Sequence, residues 1–404
     1  MERVSKVNIS KPLALITSIL VVGCAPQSLV SPNPGSSTPG DNLQNNQVNP
    51  SPSPAPDLLK DGVTVSTLAG NRGFVYEPGK IGDIDDVGQG YVDGQGDSAR
   101  FNGPRGIVVD ASGNVYVADT NNNRIRKITP TGLVTTFAGS GVKGYADGQG
   151  TSAMFKEPCG VALDASGNLY VADRLNCRIR KITPDGMVST FAGSGDFAYA
   201  DGQGTSAKFN GPLSVAVDAF GNVYVADALN YRIRKITPTG MVSTFAGSGD
   251  YDFQNMQGAD GPAAGAKFND PNFVAADAFG NVYVAEWGGH RIRKVTPTGI
   301  VSTFAGSSDF AFADGQGIKA SFKNPTSVAL DSLGNLFVAD YSDRIRKITP
   351  TGMVSTFAGS GENGFADGRG ASAKFNYPQC VALDASGNVY VAESNLIRKI
   401  TVSN

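Results

Sequence analysis

Short runs of β-branched and aromatic residues, separated by polar turn sequences, alternate along most of the chain. In the first complete copy the runs are Ile107–Asp110, Val115–Asp119, Arg124–Thr129 and Leu133–Ala138. Runs of this composition are typical of β-strands, and the Gly-Asn and Pro-Thr-Gly segments between them are typical of tight turns. The pattern predicts a unit of four short antiparallel strands, here called strands a to d.

The unit is repeated at a nearly fixed period. A proline at the start of each strand a occupies positions 104, 158, 212, 271, 325 and 378, so that successive copies lie 53 to 59 residues apart. Antiparallel units repeated in this way form blades around an axis or stack in a line. Strands a and b are nearly continuous apolar runs, which favours burial between neighbouring blades. We predict an all-β, six-bladed β-propeller of four-stranded antiparallel blades, with a linear β-solenoid as the alternative.

The two ends of the chain favour the closed ring. The last copy ends after its third strand, at Ile397–Thr401, and a segment that matches the missing strand d, Val63–Gly70, precedes the first copy. We expect Val63–Leu68 to pair with the last strand c, because a ring closed by its N-terminal strand has no exposed sheet edge. A solenoid gains nothing from this permutation.

The residues before the propeller divide into two segments. Residues 1–24 combine a basic start, an apolar run at Leu13–Val22 and a Val-Val-Gly-Cys sequence that ends at Cys24. The run is too short for a transmembrane helix. Its end resembles a bacterial lipobox, in which the cysteine is lipidated and becomes N-terminal; an ordinary signal peptide is the alternative. Residues 25–56 are rich in Pro, Ser and Asn, so we predict a disordered tether there and the propeller at 57–404.

A lipidated Cys24 would place the protein in the cell envelope, because several acyl chains together give durable anchoring. Ala25 follows the cysteine, and by resemblance to Gram-negative lipoproteins this favours the outer membrane or the cell surface. The sequence therefore predicts a lipid anchor to a membrane.

Charge and cysteine content narrow the possible partners. The net charge is −2, and the basic residues recur in every strand c and form no single patch, which argues against binding of nucleic acid.

Three cysteines remain after Cys24: Cys159, Cys177 and Cys380. Cys159 and Cys177 are separated by strand b, beyond the usual reach of a disulfide, so we favour buried free thiols over a bridge.

The repeat resembles a known family. The sequence Pro-x-Gly-Val-Ala-Leu-Asp-x-x-Gly-Asn-x-Tyr-Val-Ala-Asp-x-x-Asn-x-Arg-Ile-Arg-Lys-Ile, at Pro158–Ile182, resembles the NHL repeat, and the match extends over all six copies. The resemblance implies a six-bladed propeller that often serves as an interaction platform. Similar propellers include sensor domains of bacterial kinases, an amidating lyase and gluconolactonase-like enzymes, so the fold alone does not define the function.

The copies are longer than the usual ~40–45 residues of a blade. The additional residues precede strand a and carry the motif Asp-Gly-Gln-Gly-x-x-Ala-x-Phe. We interpret it as an Asx-turn and one helical turn with the Phe as an apolar plug between blades; six equivalent cation or ligand pockets are the alternative. The aspartates of the motif are Asp93, Asp147, Asp201, Asp260, Asp314 and Asp367.

A carboxylate ends every strand b, at Asp119, Asp173, Asp227, Glu286, Asp340 and Glu393. In the first five copies an arginine opens strand c, and pairing inside the blade would satisfy both groups; these arginines are Arg124, Arg178, Arg232, Arg291 and Arg344. The alternative is that these carboxylates line an opening of the propeller and bind Ca²⁺, an ion that prefers oxygen ligands. A second candidate calcium segment, with Asp83, Asp85 and Asp86, matches a calcium loop only in part.

Features present in every copy are needed for the fold, so a specific function is expected where the copies differ. The fourth copy differs most: its b–c loop contains Trp287 and His290, the only Trp and His of the chain, and the lengthened loop before it contains Tyr251 and Phe253. Aromatic residues at a rim are common in recognition sites. We predict that these four residues form a binding site, with a solvent-exposed loop as the alternative.

Two classes of function follow. The first is a monomeric, non-catalytic binding scaffold that takes a protein, peptide or glycan ligand at one face of the propeller. The second is a Ca²⁺-dependent, lactonase-like hydrolase or a lyase with its site on the propeller axis. A zinc enzyme with imidazole ligands would need several histidines, and the chain has only His290.

Overall fold

A computed structural model describes residues 62–71, 90–251 and 258–403 of the chain. These residues form six antiparallel sheets and contain no α-helix. The innermost strands of consecutive sheets contact each other, including those of the last and the first sheet, so the sheets surround a common axis. The predicted all-β, six-bladed β-propeller is confirmed. The predicted signal peptide with Cys24, the tether, Asp83 and its neighbours, and Phe253 lie outside the described residues.

The strands have the following bounds in blades 1 to 6. Strand a, nearest the axis, is Pro104–Val109, Pro158–Leu163, Pro212–Val217, Pro271–Ala276, Pro325–Leu330 and Pro378–Leu383. Strand b is Val115–Asp119, Leu169–Asp173, Val223–Asp227, Val282–Glu286, Leu336–Asp340 and Val389–Glu393. Strand c is Arg124–Ile128, Arg178–Ile182, Arg232–Ile236, Arg291–Val295, Arg344–Ile348 and Leu396–Val402. Strand d is Leu133–Ala138, Met187–Ala192, Met241–Ala246, Ile300–Ala305, Met353–Ala358 and, in blade 6, Val63–Ala69.

Each blade has a fifth strand, so the prediction of four strands was wrong in this respect. Strand e contains only two residues of the Asp-Gly-Gln-Gly motif and pairs with the outer edge of strand d, as Gly94 does with Val134. Strand e is Gly94–Gln95, Gly148–Gln149, Gly202–Gln203, Gly261–Pro262, Gly315–Gln316 and Gly368–Arg369. Two residues have no detectable periodicity, which is why the strand could not be recognised in the sequence.

The remainder of the motif forms the predicted helical turn and apolar plug. A 3₁₀ turn follows strand e in four blades, at Gly96–Ser98, Gly150–Ser152, Gly204–Ser206 and Gly317–Lys319. Three b–c loops also contain a 3₁₀ turn, at Thr120–Asn122, Arg174–Asn176 and Ala228–Asn230. The Phe that ends the motif is fully buried; Phe101, for example, packs between blades 6 and 1. None of the helical turns in the described residues is long and apolar enough to cross a bilayer.

The N-terminal strand closes the ring as predicted. Val63 pairs with Val402 and Val65 with Ile400, so the first strand of the propeller becomes strand d of blade 6. A single hydrophobic cluster contains Ile107 from blade 1 and Ile397 from blade 6. Backbone hydrogen bonds therefore hold the N-terminal strand in blade 6, and apolar packing joins blade 6 to blade 1.

Each hydrophobic cluster spans two neighbouring blades. One cluster contains Tyr170 of blade 2 together with Phe209 and Val223 of blade 3, and strand b is buried along its whole length in every blade. The c–d pairing contains an irregularity at Ile125, and both faces of strand c are buried, which explains why apolar residues do not alternate regularly along this strand. Cys159, Cys177 and Cys380 are free and buried.

The propeller has two distinct faces. Strands b end and strands c begin at one end of the blades, which we call the top face. The a–b and c–d turns lie at the other end, the bottom face.

Candidate functional site

Each blade contains a buried arginine that binds two carboxylates. In blade 1, Arg126 of strand c is fully buried; its Nη1 donates to Asp119 Oδ2 at 2.7 Å and its Nη2 to Asp93 Oδ1 at 2.5 Å. Two backbone carbonyls also accept hydrogen bonds from this guanidinium. Burial raises the pKa of Asp119, while the hydrogen bonds that it accepts and the charge of Arg126 act in the opposite direction.

The same network is present in all six blades. Its arginines are Arg126, Arg180, Arg234, Arg293, Arg346 and Arg398, which bind the two predicted sets of carboxylates, those that end strand b and those of the Asp-Gly-Gln-Gly motif. Both sets therefore neutralise a charge that every blade buries. Among the described residues, no group of three or more His, Cys, Asp or Glu side chains is placed to hold a metal ion.

The predicted partner of the strand-b carboxylate was wrong by two residues in blades 1, 2, 3 and 5, whereas in blade 4 the predicted Arg291 binds Glu286. Asp119 lies directly opposite Arg124 in the sheet, but its ion pair is with Arg126, the diagonal neighbour on the same face. Arg124 instead donates to two backbone carbonyls and lies 3.7 Å from the centre of the Tyr91 ring. The first arginine thus packs the loop before strand a against the blade.

In blade 4 the strand-b carboxylate has different hydrogen-bond partners, because its side chain is longer and a glycine stands opposite it. In blades 1 to 3 an asparagine of the b–c loop donates to the strand-b aspartate, as Asn230 Nδ2 does to Asp227 Oδ2 at 2.8 Å. In blade 4 the carboxylate is Glu286, and Gly289 replaces the asparagine; a Cβ at Gly289 would lie 2.8 Å from Glu286 Oε2. The longer side chain occupies the missing amide's place and binds Arg291 at 2.9 Å in addition to Arg293. The loop difference seen in the sequence is thus partly structural.

The structure places two of the predicted recognition residues at different boundaries: Tyr251 lies between blades 3 and 4, whereas the carbonyl of Trp287 accepts a hydrogen bond from Asn324 Nδ2 of blade 5 at 3.1 Å. Tyr251 packs on Tyr231, with ring centres 4.9 Å apart. The backbone N–H of Trp287 donates to the carbonyl of Asp270 at 3.0 Å. Burial, followed by the charge of Glu286, raises the pKa of Asp270. Tyr251 and Trp287 are half-buried and belong to the top face.

His290 lies at the same boundary as Trp287, between blades 4 and 5, and its imidazole interacts with the Trp287 backbone. Its ring is 5.4 Å from that of Phe310. Burial lowers the pKa of His290. The backbone of His290 is left-handed, with φ of 53°, as is that of Asn123 at the equivalent position of blade 1.

A further set of non-repeating residues surrounds the axis and was missed in the sequence. The second residue of strand a, directly after the proline that begins the strand, differs in every blade. In blades 1 to 6 it is Arg105, Cys159, Leu213, Asn272, Thr326 and Gln379. Because strand a is innermost, these residues surround the top of the axis. The variation of this position within a strict repeat is visible in the sequence and could have indicated a site. It was missed because strand a was interpreted only as a buried apolar strand.

The next residue of strand a controls how open the axis is. Phe273 packs against the cluster of blades 4 and 5 and also against the cluster of blades 6 and 1, so it reaches across the axis. At the same position blades 1 and 2 have Gly106 and Gly160, and a Cβ at either would lie within 2.5 Å of the neighbouring strand a. Phe273 therefore forms a floor beneath the residues that surround the axis, a site that we call the mouth.

The mouth combines charges, amides and hydroxyls. Glu157 and Arg174 form an ion pair at 3.0 Å beside Cys159. Burial raises the pKa of the Cys159 thiol, and the charges of Arg105 and Arg174 oppose this. On the far side, Asn272 Nδ2 donates to the Thr326 carbonyl at 2.9 Å.

Aromatic residues extend the mouth onto the rim of the top face. Tyr341 and Tyr377, from neighbouring loops of blades 5 and 6, stack with ring centres 4.5 Å apart. Guanidinium, amide and hydroxyl groups beside aromatic rings are suited to bind a polar organic ligand.

The fold and the repeated ion-pair network define a six-bladed β-propeller, and the loops on its top face differ in sequence from blade to blade. The model of the NHL repeat matches residues 101–128. The chain is 31% identical over 272 residues to the chloroplastic protein SUPPRESSOR OF QUENCHING 1 of Arabidopsis thaliana, covering 64% of this chain and 26% of that protein. It is 28% identical over 330 residues to human NHL repeat-containing protein 2, covering 72% and 45%. The chain is an NHL-repeat β-propeller, and it spans less than half the length of these two relatives.

Solved structures with the same fold come from bacteria. An auxiliary nutrient binding protein from Bacteroides ovatus aligns with a TM-score of 0.60 and 18% identity over 85% of this chain and 77% of that one. A gluconolactonase from Xanthomonas campestris aligns with a TM-score of 0.51 and 13% identity over 75% and 87%. At these identities the likeness concerns the fold alone.

Proposed function

We propose that this protein is a non-catalytic binding module of the cell envelope, which takes a peptide or glycan at the mouth on its top face. The observation that carries the proposal is the position of the non-repeating residues. The six residues that surround the axis differ from blade to blade above a floor made by Phe273. Three of them, Arg105, Asn272 and Gln379, are polar and partly exposed. A six-fold scaffold has no structural need for this variety.

The blade-4 rim forms one wall of the proposed site. Trp287 and Tyr251 supply aromatic surface, and we include the sequence-predicted His290 and Phe253 as candidates beside them. A glycan or peptide matches this composition because its apolar faces pack on aromatic rings while its polar groups bind amides and guanidinium groups. The similar structure from Bacteroides ovatus is that of an auxiliary nutrient binding protein, which supports a binding role on this fold.

The enzymatic alternative has less support from the geometry. A Ca²⁺-dependent lactonase-like site on the axis would need carboxylates that face the ligand. The six carboxylates that the sequence indicated each bind a buried arginine inside their own blade. We therefore propose the binding module.

Screening on glycan and peptide arrays tests the proposed site. We expect Gln379→Leu, which introduces the residue that blade 3 has at this position (Leu213), to abolish or strongly weaken the strongest array signals of the wild-type protein. Phe279→Ser, on the bottom face, serves as the control and should leave them unchanged. Retention of all signals by Gln379→Leu would contradict the proposal.

We also propose that lipidated Cys24 anchors the propeller to a bacterial envelope membrane. The Cys24→Ala variant should leave the membrane fraction or remain unprocessed, because the acyl chains can no longer be attached. Cell fractionation with detection of the protein checks this. A variant that stays with the membranes in the same amount as the wild type contradicts the anchor.

A further inference from the structure

The bottom face carries a group of apolar side chains that the fold does not require. In blades 3, 4 and 5 the a–b turn places Phe220, Phe279 and Leu333 in water, with 72, 84 and 78% of each exposed. In each case the backbone N–H donates to the aspartate two residues before it, at 2.9 Å. The turn that holds the apolar residue is thus fixed by hydrogen bonds.

The other three blades show that this turn is formed equally well by serine. Ser112, Ser166 and Ser386 occupy the same position in blades 1, 2 and 6 and donate the same hydrogen bond. Scattered exposed apolar residues are normal on a protein surface, but a group on three consecutive blades indicates an interaction surface. We call Phe220, Phe279 and Leu333 the apolar patch.

The chain enters the propeller at the same face. Strand d of blade 6 begins at Val63 at the bottom end of the sheet, and the preceding Gly62 carbonyl accepts a hydrogen bond from Ser403 N at 2.8 Å. The described chain therefore begins at the bottom face, at Gly62. As the coil that its composition predicts, the tether at 25–56 would have a root-mean-square span of roughly 30 Å. An anchor at Cys24 would keep the apolar patch close to the bilayer at a high effective concentration.

Further features of this end suit a flat partner with an apolar interior and a charged surface. The first residue of strand d is an exposed large apolar residue in five blades, at Leu133, Met187, Met241, Ile300 and Met353. Every strand c also has a lysine near its bottom end, whose amine lies 5.2–5.7 Å from an aromatic ring of strand b. The aspartates of the a–b turns accept hydrogen bonds from the turn backbone and from the adjacent asparagine side chains, as Asp277 does from Asn281, and they contribute negative charge to the same face.

We propose that the bottom face docks on the lipid bilayer, with the apolar patch inserted among the headgroups and the lysines facing anionic lipid. Binding of this kind increases with buried apolar area and with attraction to anionic headgroups. The inference rests on the anchor proposed above. It also assigns an orientation, because a propeller that lies on its bottom face presents the mouth away from the membrane.

The test uses tryptophan as a depth probe in the full-length, lipidated protein. Phe279→Trp in a Trp287→Phe background has a single tryptophan in the apolar patch, and the wild type has its single tryptophan on the top face. Both proteins are reconstituted into vesicles of phosphatidylethanolamine and phosphatidylglycerol with or without brominated acyl chains. We expect brominated lipid to quench the fluorescence at position 279 and to leave that of Trp287 unchanged. Adding Phe220→Ser and Leu333→Ser should reduce the quenching.

The outcomes separate this proposal from that of the anchor. If the protein floats with the vesicles but position 279 is not quenched, the anchor stands and the docking proposal is wrong. If the wild type does not float, the anchor is wrong, and the docking proposal also fails unless added vesicles quench position 279. If instead the protein sediments as a dimer in solution and the serine substitutions restore the monomer, the patch is occupied by a second copy and docking on the membrane is contradicted.

Discussion

At the scale of single residues, the repeated charges of this chain belong to the fold. Arg234 is buried between Asp227 and Asp201, and five other blades repeat the arrangement. A buried ion pair contributes little net stability, but removal of one partner leaves an uncompensated charge in the interior. This explains why the three residues recur together in every copy.

Substitution of the two arginines of one strand c should have unequal effects. We expect Arg234→Gln to lower the free energy of unfolding by about 3–5 kcal/mol, because Asp227 then remains buried without its cation. Arg232→Gln, two residues earlier on the same strand, is the control; Arg232 is half-buried and donates to backbone carbonyls, so its loss should be clearly smaller. Chemical denaturation measures both, and equal losses would contradict the assigned roles.

The sequence predicted the repeated carboxylates and phenylalanines correctly, but in most blades it did not predict which arginine binds each carboxylate. The sequence identified both sets of carboxylates and expected arginine partners inside the blade for those that end strand b. It assigned the motif aspartates to Asx-turns, whereas in the structure they bind the same arginines, as Asp93 binds Arg126. It selected Arg124 where the structure has Arg126, because register alone does not show which of two arginines on one face turns toward the blade. The buried Phe of each motif was identified correctly, since a large apolar residue at a fixed offset from strand a has few other places to pack.

At the scale of elements, the b–c loop of blade 4 compensates for a longer carboxylate. Glu286 with Gly289 takes the place of the Asp–Asn combination found in blades 1 to 3. The two positions should therefore be coupled.

A double-mutant cycle tests this coupling. Gly289→Asn alone should destabilise the protein, because the new side chain meets Glu286 Oε2. The double variant Glu286→Asp/Gly289→Asn recreates the pair of blade 3, and we expect it to be more stable than the sum of the single variants by on the order of 1 kcal/mol. Additive changes in the free energy of unfolding would show that the two positions act independently.

The ring depends on the N-terminal strand, Val63–Ala69, which completes blade 6. Val63 and Val65 are almost fully buried, and their burial alone represents about 3–6 kcal/mol. Deletion of residues 57–70 should therefore lower the melting temperature sharply and promote aggregation through the exposed strand c of blade 6. Deletion of residues 25–56 is the control and should leave the melting temperature unchanged. A closure deletion that melts like the parent would contradict this role.

The elements themselves were largely predictable because strands a to d have strong composition and fixed spacing. The missing strand at the C-terminus could be matched to Val63–Gly70 by its sequence, which defined the closure. Strand e could not be found in this way, because it contains two residues and exists only through its pairing with strand d.

At the scale of the whole molecule, six nearly equal blades carry different residues on their two faces. On the top face the variable positions surround a floor at Phe273, and on the bottom face they form the apolar patch. Sequence comparison of the copies identified the blade-4 loop but not the mouth, because only the ring places six separate strand positions side by side. We propose ligand binding at the top face and membrane docking at the bottom face.

The most direct test of ligand binding at the mouth uses the native fluorescence of the protein. Trp287 is the only tryptophan and lies at the rim of the mouth. Titration of the wild type with the strongest ligand from the arrays should change this fluorescence with a saturable curve. Gln379→Leu should remove or greatly weaken the change while the melting temperature stays near that of the wild type, and Phe279→Ser should leave the curve unaltered. A curve that is the same in Gln379→Leu and wild type, or that is lost in Phe279→Ser, would contradict binding at the mouth.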